Sequence, residues 1–355
     1  MREIYSDIIQ FRGSYFDFGF MQGERLKNSL TIINREKQWK TRKPRFSINV
    51  EETKQMITRF APSIWEELLG LQEALKWSLE KVLQEFGGYR VNYYRSGCSI
   101  FTGKNFLIRN YDYHPKTYEG RYTIFQPTDG KGYAIIGPSQ RITGRMDGLN
   151  EKGLAMGYNF MNRKQPEDGF VCFMIGRMIL QSCANVEEAV EMLREIPHRH
   201  SFSYIIYDKS GRTYIVETSP RRVEVRQSNI CTNHFEIMTE ENRHHLVDSM
   251  RRMEIIEHNS SEMIDGYEAF RLFNDADKGV FSKLYSSWAG TIHTSVYFPQ
   301  EMKVWFALGH NQEPTEINFA QWLAGEDLNQ QRIFGTVETD VPFLYLDEGA
   351  DWVKR

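Results

Sequence analysis

The pattern of hydrophobic and polar residues divides the chain into a helical first part and a strand-rich second part. Between residues 64 and 86, apolar side chains recur at steps of three and four, and Gly87-Gly88 follows as a helix-ending signal. Residues 16–38 predict a second helix, and residues 3–12 alternate apolar and polar positions as a strand does. The first 97 residues are therefore predicted to be mostly helical.

Short strands separated by turns follow this helical part. The clearest signal is a hairpin, with strands at 203–207 and 213–217 joined by Asp208-Lys209-Ser210-Gly211. Further strands are predicted at 106–108, 132–137, 154–159 and 303–308, and helices at 170–183, 186–195 and 242–257. Strands mixed with helices, without strict alternation of the two, indicate an α+β layered fold.

The composition is that of an ordinary globular protein and excludes several classes of function. The 355 residues suffice for one large or two ordinary domains, and the net charge is −3. Basic residues are outnumbered and scattered, so nucleic acid is not an expected partner. No segment approaches the roughly 18–20 apolar residues of a membrane helix, and the acidic N-terminus lacks the apolar region of a signal peptide. We expect a cytoplasmic location and no membrane partner.

The spacing of cysteines and histidines predicts neither a disulfide framework nor a metal site. The four cysteines form no CxxC pair, so each is most simply a free, buried thiol: Cys98, Cys172, Cys183 and Cys231. The close histidine pairs, His198-Arg199-His200 and His244-His245, lack a third ligand at a suitable spacing. We therefore expect no metal and no bound cofactor.

One of these cysteines lies where the helical pattern gives way to strands, in the run Arg95-Ser96-Gly97-Cys98-Ser99. If the chain is cut before Cys98, the new α-amine, with a reference pKa of roughly 7.7–8.0, can take the proton of the thiol. Glycine suits the position before the cut, because it tolerates strained backbone angles and leaves its carbonyl open to attack. We interpret Cys98 as the nucleophile of an enzyme that first cuts its own chain: the thiol attacks the Gly97 carbonyl, and water cleaves the resulting thioester.

Two charged residues downstream fit this chemistry. Asp112 can hold the new amine, and Arg109 can lower the pKa of the thiol. In a regular strand these side chains would point to opposite faces, because they are three positions apart. We therefore expect a bend around Asn110-Tyr111 that turns both toward Cys98.

Gly97-Cys98 followed by Leu107-Ile108-Arg109-Asn110-Tyr111-Asp112 resembles the N-terminal-nucleophile hydrolases of the choloylglycine hydrolase and penicillin V acylase type. The layout is more similar still to the acyl-coenzyme A:6-aminopenicillanic acid (isopenicillin N) acyltransferase-like branch. Further matches follow in the same order: Asp147-Gly148-Leu149-Asn150-Glu151-Lys152-Gly153-Leu154, Gly157-Tyr158-Asn159-Phe160 and Cys231-Thr232-Asn233-His234-Phe235.

The resemblance implies an αββα four-layer sandwich. It also implies that residues 1–97 form a helical pro-segment, retained as a small subunit after cleavage, and that residues 98–355 form the catalytic domain. Cys98 is then the nucleophile and, through its amine, the base. Asp112 holds the amine, and Arg109 lies beside the thiol.

The resemblance also implies an oxyanion hole and a later arginine. Asn159, with the backbone near Tyr158, and Asn233 line the oxyanion hole, and a neutral amide donor suits that role because it stabilises the charge without losing a proton. The arginine is assigned to Arg251, with its neighbour Arg252 and the nearby Arg243 as alternatives.

Three functions stay open at this point. In the first, Cys98 attacks a linear amide and water resolves the thioester. In the second, the same site moves an acyl group from acyl-coenzyme A, as co-substrate, to an amine. In the third, the fold is never cut and acts as a binding protein. A small-molecule amide or acyl compound is the expected partner, and the sequence is compatible with a homo-oligomer.

Overall fold

The computed structural model describes residues 1–41, 46–93, 96–161, 165–242, 246–260 and 265–347, and for residues 38–41 it describes the backbone alone. Its strands, in chain order, are β1 (Arg2–Gly13), β2 (Gly97–Thr102), β3 (Leu107–Tyr113), β4 (Arg121–Pro127), β5 (Ile135–Gln140), β6 (Gly144–Arg145), β7 (Asp147–Asn150), β8 (Leu154–Phe160), β9 (Phe202–Asp208), β10 (Thr213–Thr218), β11 (Val223–Arg226), β12 (Ile230–Cys231), β13 (Lys283–Leu284), β14 (Ala289–Phe298), β15 (Lys303–Leu308), β16 (Thr315–Asn318) and β17 (Arg332–Val337). Its α-helices are α1 (Tyr15–Leu26), α2 (Leu30–Thr41), α3 (Val50–Phe60), α4 (Pro62–Leu75), α5 (Leu79–Phe86), α6 (Cys172–Ser182), α7 (Val186–Glu195), α8 (Val247–Ser260), α9 (Gly266–Asn274) and α10 (Phe319–Leu323).

The strands form two sheets that pack face to face. A ten-stranded sheet runs β11-β10-β9-β8-β7-β5-β4-β1-β17, with β6 beside β5, and a seven-stranded sheet runs β12-β2-β3-β14-β15-β16, with β13 beside β14. Between them, the rings of Tyr122 and Phe306 lie 4.7 Å apart, and Arg109 forms a buried ion pair with Asp147. Helices α6 and α7 cover the outer face of the larger sheet, and α8 and α9 cover that of the smaller one. This arrangement confirms the predicted α+β class and the αββα layers.

The helical first part of the chain is built into this sandwich. The predicted strand at 3–12 is confirmed as β1, which lies inside the ten-stranded sheet between β4 and β17. A buried ion pair between Glu67 of α4 and Arg177 of α6, 2.7 Å apart, joins the first part to the rest. The described part of residues 1–97 therefore shares the core of the sandwich.

Two helix predictions in this part were too long. Residues 16–38 form α1 and α2 with a break at Asn28, whose φ is +61°. Residues 64–86 fall in α4 and α5, because Lys76 adopts the left-handed conformation and the Ser78 side chain accepts the Lys81 N–H as a new N-cap.

The later predictions mostly hold. The hairpin is β9 and β10, the predicted helices correspond to α6, α7 and α8, and the strand predicted at 132–137 begins only at Ile135.

No described helix is long and apolar enough to cross a membrane. Arg95, Arg243 and His244-His245 lie outside the described residues.

Strand pairing sets the position of the glycine–cysteine pair. β2 runs between β12 and β3, and in the β2–β3 ladder Gly97 lies opposite Asp112 and Cys98 opposite Tyr111. On the other side Cys231 pairs with Ile100. Because these strands are antiparallel, the same register brings Asn233 level with Cys98.

Candidate active site

The thiol of Cys98 lies between the two sheets, fully buried. Arg109, next on the same face of the ladder, donates from Nη2 to Cys98 Sγ at 3.3 Å and to the carbonyl oxygen of Tyr158 at 2.6 Å. Gly157 makes room for this arginine, because a Cβ there would lie 3.0 Å from Arg109 Cδ. Burial raises the pKa of the Cys98 thiol to about 11, although Arg109 opposes the rise. The thiol of the uncut chain is therefore protonated at neutral pH.

A second buried group, Asp147, fixes Arg109 in this position. Its carboxylate accepts hydrogen bonds from Arg109 Nη1 and from the hydroxyl of Tyr297, and it lies 3.4 Å from Nε2 of His293. Burial alone would raise the pKa of Asp147, but Arg109, His293 and Tyr297 together lower it to about 2. The sequence showed Asp147 only as the start of a matching motif and gave no signal for His293 or Tyr297, because these contacts cross from one sheet to the other.

The backbone nitrogen of Cys98 has its own fixed partner. Asn233 Oδ1 accepts this N–H at 2.8 Å and also accepts a hydrogen bond from Arg252 Nη2 at 2.9 Å. The Asn233 amide nitrogen donates to the carbonyl oxygen of Phe160 at 2.9 Å. In the uncut chain Asn233 is thus an acceptor toward Cys98 and has its amide donor bound elsewhere.

Asp112 lies on the face of β3 opposite to Arg109. The expected bend around Asn110-Tyr111 is absent: β2 and β3 pair without interruption from Gly97–Asp112 to Thr102–Leu107. The two charged side chains nevertheless both approach Cys98. Arg109 reaches the side chain of Cys98, and Asp112 reaches the backbone just before it.

The surroundings of the Asp112 carboxyl are unusual. Its Oδ1 accepts a hydrogen bond from Thr291 Oγ1 at 2.6 Å, whereas its buried Oδ2 has no hydrogen-bond partner among the described residues. A Cβ placed on Gly97 would lie 3.4 Å from this Oδ2. Burial raises the pKa of Asp112 to about 7, although Arg252 opposes the rise. Asp112 is therefore a buried acid, and no described cation forms a hydrogen bond with its Oδ2.

Of the two adjacent arginines on α8, the structure brings Arg252 to Cys98. Arg252 Nη1 donates to the carbonyl oxygen of Cys98 at 2.6 Å and to Ser99 Oγ at 2.7 Å, and Nε donates to Asp248 at 2.8 Å. Its side chain is 4% exposed, whereas that of Arg251 is 47% exposed and binds Asp248 and the carbonyl oxygen of Gly279. Successive helical residues point about 100° apart, so only one of them faces the sheet.

The other residues assigned to the oxyanion hole hold backbone groups. Asn159 Nδ2 donates to the carbonyl oxygens of Cys231 at 2.8 Å and Thr232 at 3.1 Å, and its buried Oδ1 has no partner in the described part of the chain. The Tyr158 carbonyl binds Arg109, and its hydroxyl donates to Gln140 at 2.8 Å. Within the described ranges, no three His, Cys, Asp or Glu side chains are grouped so as to hold a metal ion.

Solved structures give distant likenesses. Penicillin V acylase from Agrobacterium tumefaciens is 14% identical over 63% of this chain and 86% of that chain, with a TM-score of 0.43. A mutant of conjugated bile acid hydrolase from Clostridium perfringens is 15% identical over 69% and 97%, also with a TM-score of 0.43. The N-acylethanolamine-hydrolyzing acid amidase ortholog from Caenorhabditis elegans is 11% identical over 57% and 93%, with a TM-score of 0.42.

No curated protein matches the chain. The family description of acyl-coenzyme A:6-aminopenicillanic acid acyl-transferase matches residues 101–313, which is more than half of the chain. The matched range starts just after Cys98 and contains Arg109, Asp112, Asn233 and Arg252. The chain therefore belongs to the acyl-coenzyme A:6-aminopenicillanic acid acyl-transferase family.

Proposed function

We propose that this protein is a cysteine amide hydrolase that activates itself by cutting the bond between Gly97 and Cys98. The observation that carries the proposal is the buried Oδ2 of Asp112, which lies beside Gly97 without a hydrogen-bond partner in the described residues. A buried carboxyl oxygen that lacks a hydrogen-bond partner is costly. Cleavage creates an ammonium group at Cys98, and this cation supplies the partner that Asp112 lacks.

Self-cleavage begins at the thiol. Cys98 Sγ attacks the carbonyl carbon of Gly97, the C–N bond breaks, and the thiol proton ends on the Cys98 nitrogen. The chain ending at Gly97 is then a thioester on Sγ. Water adds its hydroxyl to the Gly97 carbonyl carbon and returns a proton to sulfur. The carboxyl group formed at Gly97 passes its proton to the Cys98 amine, which leaves a carboxylate at Gly97 and a free thiol and an ammonium group at Cys98.

The freed amine then acts as the base in turnover. Its nitrogen starts from a hydrogen bond to Asn233 Oδ1, with Asp112 on the side of the departed Gly97. The amine takes the thiol proton, Arg109 stabilises the thiolate, and Sγ attacks the carbonyl carbon of a linear amide. The ammonium returns the proton to the leaving amine, and water hydrolyses the thioester.

The oxyanion donors are assigned to the amides of Asn233 and Asn159. Both amides hold backbone carbonyls in the uncut chain, at Phe160 for Asn233 and at Cys231 and Thr232 for Asn159. The assignment therefore requires an amide to turn once the cut releases the Cys98 nitrogen. Arg252, which binds Cys98 O and Asn233 Oδ1, keeps these groups in register.

Acyl transfer is the second candidate, supported by the family description, which names an acyl-coenzyme A acyl-transferase. In that reaction acyl-coenzyme A acylates Sγ, and an amine instead of water takes the acyl group. An uncut protein that only binds small molecules would need neither the buried thiol beside Arg109 nor the carboxyl of Asp112.

The experiment supplies the protein with an amide, or with acyl-coenzyme A and an amine, and records acyl adducts of Cys98 and products by mass spectrometry. An adduct on Cys98 with release of amine supports the hydrolase, and a new amide formed from acyl-coenzyme A supports the transferase. A protein that is cut yet forms no acyl adduct with either donor contradicts both.

A further inference from the structure

A cavity of about 330 Å³ lies where helices α1 and α2 meet the ten-stranded sheet. Its lining comes from β1, from β4 and the residues just before it, from the end of α1, from the start of α2 and from Tyr345-Leu346. None of the residues assigned above to the candidate active site is among them. A volume of roughly 300 Å³ or more is typical of small-molecule sites. We call this the Arg121 cavity.

Arg121, the first residue of β4, lines the cavity as a buried cation without an ion pair. It is 9% exposed. Among the described residues, the only hydrogen bond of its guanidinium runs from Nη2 to Gln22 Oε1 at 3.2 Å, and its buried Nε has no partner. Burial lowers the pKa of Arg121 to about 10; Glu119 opposes this fall, and Arg25 adds to it. A buried guanidinium with most of its donors unused is costly, and an anion in the cavity supplies the missing acceptors.

The pairing of three strands explains why Arg121 is left without a carboxylate. Arg332 of β17 lies opposite Asp7 of β1, and Asp7 lies opposite Arg121 of β4. Because paired residues point to the same face of a sheet, the three side chains form a row. Asp7 accepts a hydrogen bond from Arg332 Nε at 2.6 Å. The carboxylate of this row therefore serves Arg332.

A second cation, Arg25, lines the same cavity. It is an exposed residue in the last turn of α1, and it forms no ion pair within the described ranges. The other lining carboxylate, Glu119, binds Arg35 in a buried ion pair. Asp7 and Glu119 are thus each held by an arginine of their own. Of the charges that the structure describes around the cavity, those of Arg25 and Arg121 are left unpaired.

Helix α2 begins at the wall of the cavity. Ser29, Leu30 and Thr31 line it, and the first turn of this 12-residue helix contains no acidic residue. Ser29 Oγ accepts the N–H of Ile32 at a long 3.4 Å, and the N–H groups of Leu30 and Thr31 have no partner in the described part of the chain. The N-terminus of a helix carries partial positive charge and free N–H groups, which together suit a phosphate.

We propose that the Arg121 cavity binds a phosphate group, either as the free ion or as part of a small organic phosphate. Near neutral pH a phosphate group carries nearly two negative charges, which match the two unpaired guanidinium groups. Its oxygens can accept hydrogen bonds from Arg121, Arg25 and α2 at once. A carboxylate has one charge and two coplanar oxygens, so it would leave part of these donors unused. The inference does not rest on the proposed function, because the cavity contains no group that takes part in the cut or in hydrolysis.

Isothermal titration calorimetry of the full chain tests the site at neutral pH and constant ionic strength. Inorganic phosphate, glycerol 3-phosphate and acetate are the probes. We expect one phosphate group to bind per chain, and acetate to bind about 10-fold more weakly or less. Arg121→Gln should weaken phosphate binding by about 10-fold or more, because it removes a buried charged donor. Arg25→Gln should weaken it by about 3-fold, because Arg25 is exposed.

Arg194→Gln is the matched control for Arg25→Gln. Arg194 is an exposed arginine in the last turn of α7, as Arg25 is in α1, and it does not line the cavity. This variant should bind phosphate as the wild type does. Arg25→Gln changes an exposed helical position, so the test holds even if Arg121→Gln does not fold.

A wild-type chain that takes up no phosphate group at millimolar concentrations overturns the site. So does phosphate binding that Arg121→Gln and Arg25→Gln leave unchanged. Acetate that binds as tightly as phosphate overturns the preference for phosphate. Tighter binding of glycerol 3-phosphate than of inorganic phosphate supports the site with a small organic phosphate as its ligand, and the reverse order supports it with the free ion.

Discussion

The side-chain oxygen of Asn233 accepts the backbone N–H of Cys98 at 2.8 Å. The contact follows from strand register, since β12 pairs with β2 and brings Asn233, two residues beyond the end of β12, level with Cys98. The nitrogen that the proposed cut converts to an amine therefore already has an acceptor. Asp112, on the outer face of the same ladder, lies next to the bond that must break.

Asn233→Asp should shift the pH dependence of the cut enzyme. A carboxylate beside the Cys98 amine favours the ammonium and raises the amine pKa by about 1 unit or more. The amine acts as a base, so the rise of kcat/KM with pH should move to higher pH by that amount. Asn185→Asp, which makes the same charge change at the N-cap of α7, is the control and should leave the profile in place. If the pH profile of kcat/KM for Asn233→Asp coincides with that of the wild type, residue 233 does not contact the amine that acts as the base.

Arg252→Ala and Arg251→Ala form a matched pair on α8. Arg252 holds Cys98 O, Ser99 and Asn233, so its loss should slow self-cleavage by about 100-fold or more. Arg251 binds only at the surface, and its loss should change the free energy of unfolding by less than about 0.5 kcal/mol and leave the cutting rate intact. Cutting rates from intact mass over time decide between them, and a larger effect for Arg251 would refute the assignment.

Asp147→Asn should make the thiol harder to ionise, because Arg109 loses the anion that fixes it beside Cys98. We expect kcat to fall by about 10- to 100-fold with little change in KM, and the pH dependence of Cys98 alkylation to move to higher pH. Glu67→Gln breaks the equally buried pair with Arg177, away from the thiol, and should destabilise the fold without moving the alkylation profile. Equal shifts in the two variants would mean that Asp147 acts only on stability.

Asp112 should make the uncut chain less stable as pH rises. Its pKa is about 7 in the fold and about 3.8 in the unfolded chain, so the folded state binds the proton more tightly. The resulting stability is full below about pH 4 and is lost as pH rises toward 7, roughly 4 kcal/mol in all.

The measurement compares Cys98→Ala, which stays uncut, with Cys98→Ala/Asp112→Asn by urea unfolding at several pH values. The double variant should lose less stability between pH 4 and 7, and it should be the more stable protein at pH 7. Asp277→Asn, at an exposed position, is the control and should leave the pH dependence unaltered. Parallel pH curves with and without Asp112 would contradict its raised pKa.

Sequence periodicity predicted the α+β class of the fold, because the apolar repeat of each element reports its type and its buried face, and the family resemblance implied the αββα layers. Periodicity joined α4 and α5 into one helix, although Ser78 followed by Leu79 carries a capping signal that could have separated them. The sequence favoured Arg251 of the two adjacent arginines, whereas the structure brings Arg252 to Cys98, since 242–257 has no apolar stripe clear enough to set the helix phase.

The side-chain contacts between the two sheets could not be predicted from the sequence. Nothing in the sequence spacing shows that Arg109, His293 and Tyr297 meet at the carboxylate of Asp147, because their approach depends on how two sheets stack. The sequence predicted a bend in β3, and the structure has none. Arg109 and Asp112 lie on opposite faces of β3, because Arg109 contacts the side chain of Cys98 and Asp112 approaches the backbone before it.

The most direct measurement of the central claim is the intact mass of the purified protein during incubation, for the wild type and Cys98→Ala. Cutting at the proposed bond predicts two pieces, residues 1–97 and 98–355, with cysteine at the new N-terminus, and a Cys98→Ala chain that stays whole. A folded wild-type chain that keeps its full-length mass, or a Cys98→Ala chain that is cut at the same bond, would contradict the claim that this thiol cleaves its own chain.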